Sequence, residues 1–316
     1  MMGHDDFAHS SVLYREVLEY CGGLSSVGDG IVVDCTLGEG GHTEMILGRF
    51  PDIKVVGFER DDTILDVARN RLEAFSGRVE FVNDNFSAID DHLRSMKGRV
   101  SGFLYDFGIS SYHFDRSGRG FSFQRDEYLD MRLGKTSGKD AAYVINNYSE
   151  NELTDIIKRY GEERWAKRIA RFICRKRSES PVERTTELAD IVLAAIPARF
   201  HVKNIHPATR VFQALRIEVN DELSAIEESL QSAVSFLAPG GRMMAISFHS
   251  LEDRIVKNIF RRLSKGCTCD REPQYCQCDH APYVRLLTKK PLLPKDDEIA
   301  VNKRSRSAKM RVCEAL

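Results

Sequence analysis

The sequence predicts an α/β fold, a doubly wound parallel sheet interrupted by an all-helical insertion. Short β-branched or aromatic runs recur at Ile31–Cys35, Lys54–Glu59, Val79–Val82 and Gly102–Asp106, their starts 23, 25 and 23 residues apart. Helical stretches such as Thr63–Phe75 lie between them, and strands alternating with helices at this pitch form a parallel sheet. The next strand, Arg242–Phe248, begins 140 residues after the fourth, so a segment of domain size breaks the rhythm. The expected division puts residues 1–112 and 206–316 in the α/β domain and 113–205 in the insertion.

The insertion reads as helical. Ser149 with Glu152 makes a capping box ahead of Leu153, Ile156 and Ile157, and Gly161 ends that helix. Trp165, Ile169, Phe172 and Ile173 fall on one apolar stripe, which leaves Arg164, Lys167, Arg168, Arg171 and Arg175 mostly to the other side. A further helix is expected over about 186–195. After His206-Pro207 a long helical stretch runs to Phe236, closed by a turn at Pro239-Gly240-Gly241.

With 42% hydrophobic and 29% charged residues, the chain is globular rather than disordered. No apolar run approaches the ~20 residues of a membrane span. The opening MMGHDDFAHSS lacks the basic-then-apolar order of a secretory signal. Eight cysteines are too few for a disulfide scaffold at this length. A cytoplasmic protein without a membrane partner is the expectation.

A net charge of −1 hides an asymmetry. Residues 1–100 carry 10 basic against 18 acidic side chains, and the remainder 36 against 29. Residues 158–177 hold nine basic and two acidic, and 301–311 hold five basic and none acidic. Two concentrated basic patches suit a polyanion such as nucleic acid, or else a solvated helix face and a tail.

After the first strand comes Asp34-Cys-Thr-Leu-Gly-Glu-Gly-Gly-His-Thr43, a strand end, a glycine-rich turn and a helix start. Glycines allow close approach to a ligand, and a helix N-terminus offers free N–H groups. The turn lacks the Lys-Ser/Thr ending of a P-loop and, at Thr43, the third glycine of a dinucleotide fingerprint. The second strand ends in Glu59, a carboxylate that can accept from both ribose hydroxyls of a nucleoside. Asn83-Asp84-Asn85-Phe86 follows the third strand and supplies a ring for an adenine, while Asp106 ends the fourth. Four such strand ends on one sheet edge fit S-adenosylmethionine better than NAD.

The longer motifs resemble a family. They are His9-Ser-Ser-Val-Leu13, the glycine turn itself, Asp106-Phe-Gly-Ile-Ser-Ser111, Arg119-Gly-Phe-Ser-Phe123, Leu129-Asp-Met-Arg132 and Tyr160-Gly-Glu-Glu163. The most specific are the eighteen residues from His206 to Leu223 and Ser247-Phe-His-Ser-Leu-Glu-Asp-Arg254, and Arg304-Ser-Arg-Ser-Ala-Lys309 also fits. From end to end the sequence resembles the bacterial 16S rRNA (cytosine-N4)-methyltransferases. The resemblance implies a Rossmann-like S-adenosylmethionine-dependent methyltransferase sheet with an inserted helical substrate-recognition domain. It further implies S-adenosyl-L-methionine as methyl donor and a cytidine of the decoding region, in 16S rRNA or the small ribosomal subunit, as acceptor. Cofactor contacts carry over to Gly40, Gly41, His42, Glu59, Phe86, Asp106 and His113. Glu59 stands where Asp is usual, Tyr112-His113 replaces Pro-Gln, and Lys303 replaces a proline.

For the chemistry, Asp106 either orients both cofactor and amine or binds cofactor alone, with Ser110 or Ser111 fixing the base. His249, leaving the fifth strand, either takes the released proton or belongs to a helix start, since Ser250 and Asp253 form a capping pattern. Along 206–223, Arg210, Gln213, Arg216 and Asn220 share a face suited to substrate or to a domain interface. Cys267, Cys269, Cys276 and Cys278, with His280 nearby, cluster as zinc ligands would. C-x-C is tighter than the usual zinc spacing, and no metal is assigned. A small-molecule methyltransferase and a non-enzymatic RNA-binding ribosome-assembly protein are the alternative functions.

Overall fold

The computed structural model describes residues 11–134, 138–201, 206–266 and 281–316. Its backbone divides into two compact units, one taking the described residues through Gly108 and from Leu223 onward, the other Ile109–Glu222.

The first unit is a seven-stranded sheet. Its strands are β1 (Ile31–Asp34), β2 (Lys54–Phe58), β3 (Val79–Val82), β4 (Val100–Asp106), β5 (Leu237–Ser247), β6 (Val284–Leu286) and β7 (Lys309–Ala315). The spatial order is β3-β2-β1-β4-β5-β7-β6. Strands β1 to β5 are mutually parallel where they pair, and β7 runs antiparallel between β5 and β6. The order reverses between β1 and β4, so the crevice of a doubly wound sheet opens above those two carboxyl ends.

Period-two alternation fills both faces. Val33, Phe103, Tyr105, Met243 and Ala245 bury one face. Val32, Leu104, Met244 and Ile246 bury the other. The helices of this unit are α1 (Tyr14–Cys21), α2 (Gly41–Arg49), α3 (Asp62–Arg71) and α4 (Ile89–His92) before the second unit, and α11 (Glu222–Ala233, the unit boundary falling after its first residue), α12 (Ser250–Leu263) and α13 (Asp296–Val301) after it.

The sequence reading of β5 needs correction. The Pro239-Gly240-Gly241 turn lies inside the strand, as an irregularity where pairing with β4 slips between Val100 and Gly102 and Gly240 takes φ 82°. Strands β6 and β7 were not foreseen. The basic tail supplies β7, and Arg311 there pairs with Asp253 on α12 at 2.6 and 3.2 Å. Lys303, Arg304 and Arg306 remain exposed just before it. Cys267, Cys269, Cys276, Cys278 and His280 lie outside the described residues.

The second unit is helical: α5 (Ser111–Asp115), α6 (Ala141–Asn147), α7 (Glu150–Arg159), α8 (Ala166–Arg177), α9 (Thr185–Ala195) and α10 (Thr209–Asn220). Ser149 and Glu152 form the expected reciprocal cap of α7. Gly161 has no left-handed φ; instead a Cβ there would sit 2.6 Å from Arg210 O, so the glycine lets α10 approach closely. The long helix expected after Pro207 is broken at Asp221, whose φ of 50° ends α10 before α11 begins.

This break moves the domain boundary. Residues 206–222 belong to the helical unit, because Ala208, Val211, Phe212, Leu215 and Val219 of α10 complete the same core as Ile157, Ile169, Ile173 and Leu188. The boundary at 112/113 likewise moves to Gly108.

The polar residues of α10 are clamps within this unit. Asn220 is buried, donates to Met131 O at 2.7 Å and accepts from Leu133 N at 2.9 Å, holding Met131 at φ 58°. Arg216 makes a bidentate pair with Glu222 at 2.8 and 2.9 Å, and Gln213 donates to Tyr160 O. Only Arg210 of the four is exposed, 3.6 Å from Glu163. We therefore expect Asn220→Ala, which strands a buried N–H and a carbonyl, to destabilise the fold by about 1–3 kcal/mol in urea unfolding. Arg210→Ala should stay within about 0.5 kcal/mol.

Candidate active site

The turn between β1 and α2 is built around a buried carboxylate. Asp34 accepts from Thr36 N at 3.2 Å with one oxygen and from Thr43 Oγ1 at 2.8 Å with the other. Burial pushes its carboxyl above the usual range, while His42 and these hydrogen bonds oppose the shift. Thr36 Oγ1 in turn accepts from Asp106 N at 2.6 Å, tying the turn to the end of β4. Gly38 and Gly40 take φ 52° and 83°, which side chains resist. Gly41 leaves no room either, since a Cβ would fall 2.5 Å from Ser11 Oγ. Asp34 thus shapes the turn, which then presents the first N–H groups of α2 at the sheet rim.

Glu59 follows β2 and accepts from Gly38 N at 3.2 Å and Asp61 N at 2.8 Å, one bond to each oxygen. Desolvation pushes its carboxyl up to about 7, only partly offset by those N–H groups. Each oxygen keeps a second lone pair for a donor such as a hydroxyl.

Beyond β3 the polar groups are already engaged. Asn83 donates to Glu59 O, Asp84 meets His92 Nε2 at 2.9 Å, and Asn85 accepts from Ser87 N. Phe86 offers its ring instead, edge-on to Tyr105 and tilted against Phe107, both at 6.1 Å.

At the switch point His42 Nε2 lies 3.4 Å from Asp106 Oδ2. Among the described residues, both ring nitrogens of His42 and Oδ1 of Asp106 are buried without a hydrogen-bond partner. Buried polar atoms are seldom left unsatisfied, which makes this cluster at the sheet's carboxyl rim the candidate ligand contact.

The remaining candidates are placed differently. Ser110, Ser111 and His113 stand in the helical unit. Ser110 caps α5 by accepting from Tyr112 N, Ser111 begins that helix, and the buried His113 ring packs 5.1 Å from Phe121. His249 belongs to the sheet unit, but the expected cap pair is one residue off. His249 itself is the N-cap of α12, with Nδ1 accepting from Glu252 N at 3.4 Å and Nε2 3.0 Å from Glu252 Oε1. Thr36, to which the sequence reading gave no role, links the turn to β4, and Phe107, expected to contribute its carbonyl, also lays its ring against Phe86. A hydroxyl inside the glycine turn was the available signal for Thr36.

Comparison with known proteins identifies the family. The family described as the MraW methylase family matches residues 6–316. Ribosomal RNA small subunit methyltransferase H of Geobacter sulfurreducens is 50% identical over 312 residues, 98% of this chain and 99% of that protein. The protein of the same name from Geobacter sp. (strain M21) is 48% identical, covering 99% of this chain and 100% of its own length. That from Clostridioides difficile (strain 630) is 45% identical over 98% of this chain and 100% of its own. A match across nearly the whole length of both partners leaves one assignment: the chain belongs to the MraW methylase family.

Proposed function

We propose that this chain, a methyltransferase by family, carries a methyl group from S-adenosylmethionine to the N4 amino group of a cytidine in the decoding region of 16S rRNA. The observation that carries the reading is the unsatisfied cluster of Asp106 Oδ1 and both His42 nitrogens at the switch point of the sheet. Full-length relatives named for methylation of small-subunit rRNA support the acceptor class.

The residues present fit the donor. Gly40, Gly41 and His42 set the α2 N-terminus for a carboxylate, Glu59 has free lone pairs for a ribose diol, and Phe86 has a ring for the adenine. When bound, S-adenosylmethionine supplies a methyl group on a positively charged sulfur. The protein's task is then the acceptor, because the cytosine amine is a weak nucleophile whose lone pair is delocalised into the ring. Asp106 accepts a hydrogen bond from an amine hydrogen, which draws the nitrogen toward tetrahedral geometry. It takes the proton released once the nitrogen has gained the methyl. His42 Nε2 stands 3.4 Å from that carboxylate. By resemblance we assign His113 to the cofactor and Ser110 or Ser111 to the base. For His249 we favour the helix-start role, which its Nδ1 facing Glu252 N at 3.4 Å supports, over that of proton acceptor.

Radiolabelled methyl transfer to small ribosomal subunits and to free 16S rRNA, both lacking the modification, tests the reading. Incorporation at a cytidine N4 supports it, and incorporation only into small molecules, or none, refutes it. Asp106→Asn should cut turnover about 10²–10⁴-fold while cofactor affinity changes far less. Glu59 gives a pH signature. Its carboxyl stays protonated in the fold above the ordinary 4.5, so the stability of the ligand-free fold falls as pH rises from about 4.5 and levels off above about 7. A diol needs the ionised form, so calorimetric cofactor affinity should rise as pH passes through 7 and then level off. Glu59→Gln should flatten that curve.

A further inference from the structure

We infer that the outer face of α8 is a phosphate-binding surface on which the helical unit holds an RNA strand. The inference rests on the reading of the substrate as RNA and says which part of the unit grips it. The inner face of α8 is spent on the core: Ile169, Ala170 and Ile173 are fully buried. On the outer face Lys167, Arg168, Arg171 and Arg175 are all exposed, at i, i+1, i+4 and i+8. They form one stripe about 12 Å long at the helical rise.

Some surface cations of this unit off the stripe are paired with carboxylates. Arg159 meets Asp155 at 3.0 Å, Lys176 meets Glu179 at 3.4 Å and Arg184 meets Asp126 at 3.0 Å. On the stripe, among the described residues, only Arg171 approaches a carboxylate, Glu150 at 3.8 Å. Aromatic rings hold the neighbouring guanidinium groups instead. Arg168 lies 5.4 Å over Phe172, while Arg164 and Arg199 lie 4.9 and 4.8 Å over Phe200. A ring orients a cation through its quadrupole and adds no negative charge, so both the charge and the N–H fork remain for a phosphate oxygen. Exposed cations along one line, Arg168 held by a ring and only Arg171 near a carboxylate among the described residues, match a repeating anion.

The partner is a polynucleotide rather than a bilayer. A helix lying in a membrane surface needs an apolar face to insert, and that of α8 is already inside the protein.

The experiment uses the full chain and its variant K167Q/R168Q/R171Q/R175Q, with a 16S rRNA fragment spanning the decoding region as probe. Affinity is measured over a range of salt concentrations, and cofactor affinity in parallel by calorimetry. Wild type should bind with a steep salt dependence. In the variant the slope of log K against log salt should shrink by about 3, near 0.7 per lost phosphate contact, with affinity down at least ~10-fold at low salt and cofactor affinity unchanged. Trp165, the only tryptophan of the chain, adjoins Phe200 at 5.1 Å between ring centroids, and its emission should change on RNA addition in wild type. The pair R168E/R175E should weaken RNA binding further than neutralisation of the same two residues, which gives a second measure should the fourfold variant fold poorly. A folded variant with wild-type affinity and slope overturns the surface and leaves the RNA substrate standing. Wild type that binds no RNA overturns the substrate reading itself. Binding to anionic phospholipid vesicles as tight as to RNA overturns the choice of partner.

Discussion

Asp34 never meets solvent, and the whole rim hangs on its two oxygens. One takes the N–H of Thr36 and the other the hydroxyl of Thr43, so the turn between them is pinned at both ends. Thr36 then reaches the next strand and receives the backbone N–H of Asp106. Three residues thus fix the spacing between the glycine turn and the end of β4, and with it the 3.4 Å approach of His42 to Asp106. Pre-organisation of this kind places acceptors before a ligand arrives, which is where positioning enzymes gain most.

Charged groups serve two different ends in the chain. Arg216 with Glu222, Arg311 with Asp253, and Glu314 between Arg242 and Arg285 are matched pairs with at least one side chain largely withdrawn from water, and they lock elements together. The α8 stripe is the opposite case, its cations exposed and mostly without carboxylates. A count of basic residues along the sequence does not separate the two. Five basic residues in the tail and nine around α8 looked alike, yet the tail gives Arg311 to an internal pair and two of its residues to a central strand pairing.

Local patterns were legible wherever local physics decided the structure. The four β-branched runs became β1 to β4, the glycine turn took its expected place after β1, and the Ser149 cap formed as its spacing required. What escaped depended on partners distant in sequence. Strand β7 exists because Met310, Val312 and Cys313 fill both faces of the sheet beside β5, which a charge-rich heptapeptide conceals. The α10–α11 break sits at a left-handed Asp221 inside a pattern that is helical throughout. Gln213 and Asn220 read as a polar face, but their partners, Tyr160, Met131 and Leu133, lie 53 to 89 residues away. The motifs offer Gly40, Gly41, His42, Glu59, Phe86, Asp106 and His113 as site candidates, whereas the cap at His249 needed the fold.

Strands β4 and β5 are neighbours in the sheet, yet Val100 faces Leu237 across more than a hundred intervening residues. Closing so long a loop from an unstructured chain is entropically unfavourable and slow. The intervening helices have a core of their own, made by contacts close in sequence such as those between α7 and α8. The connectivity thus separates contacts close in sequence, within β1 to β4 and within the helical segment, from the one pairing that spans the whole insertion, and β7 takes its place in the sheet only beside that distant partner.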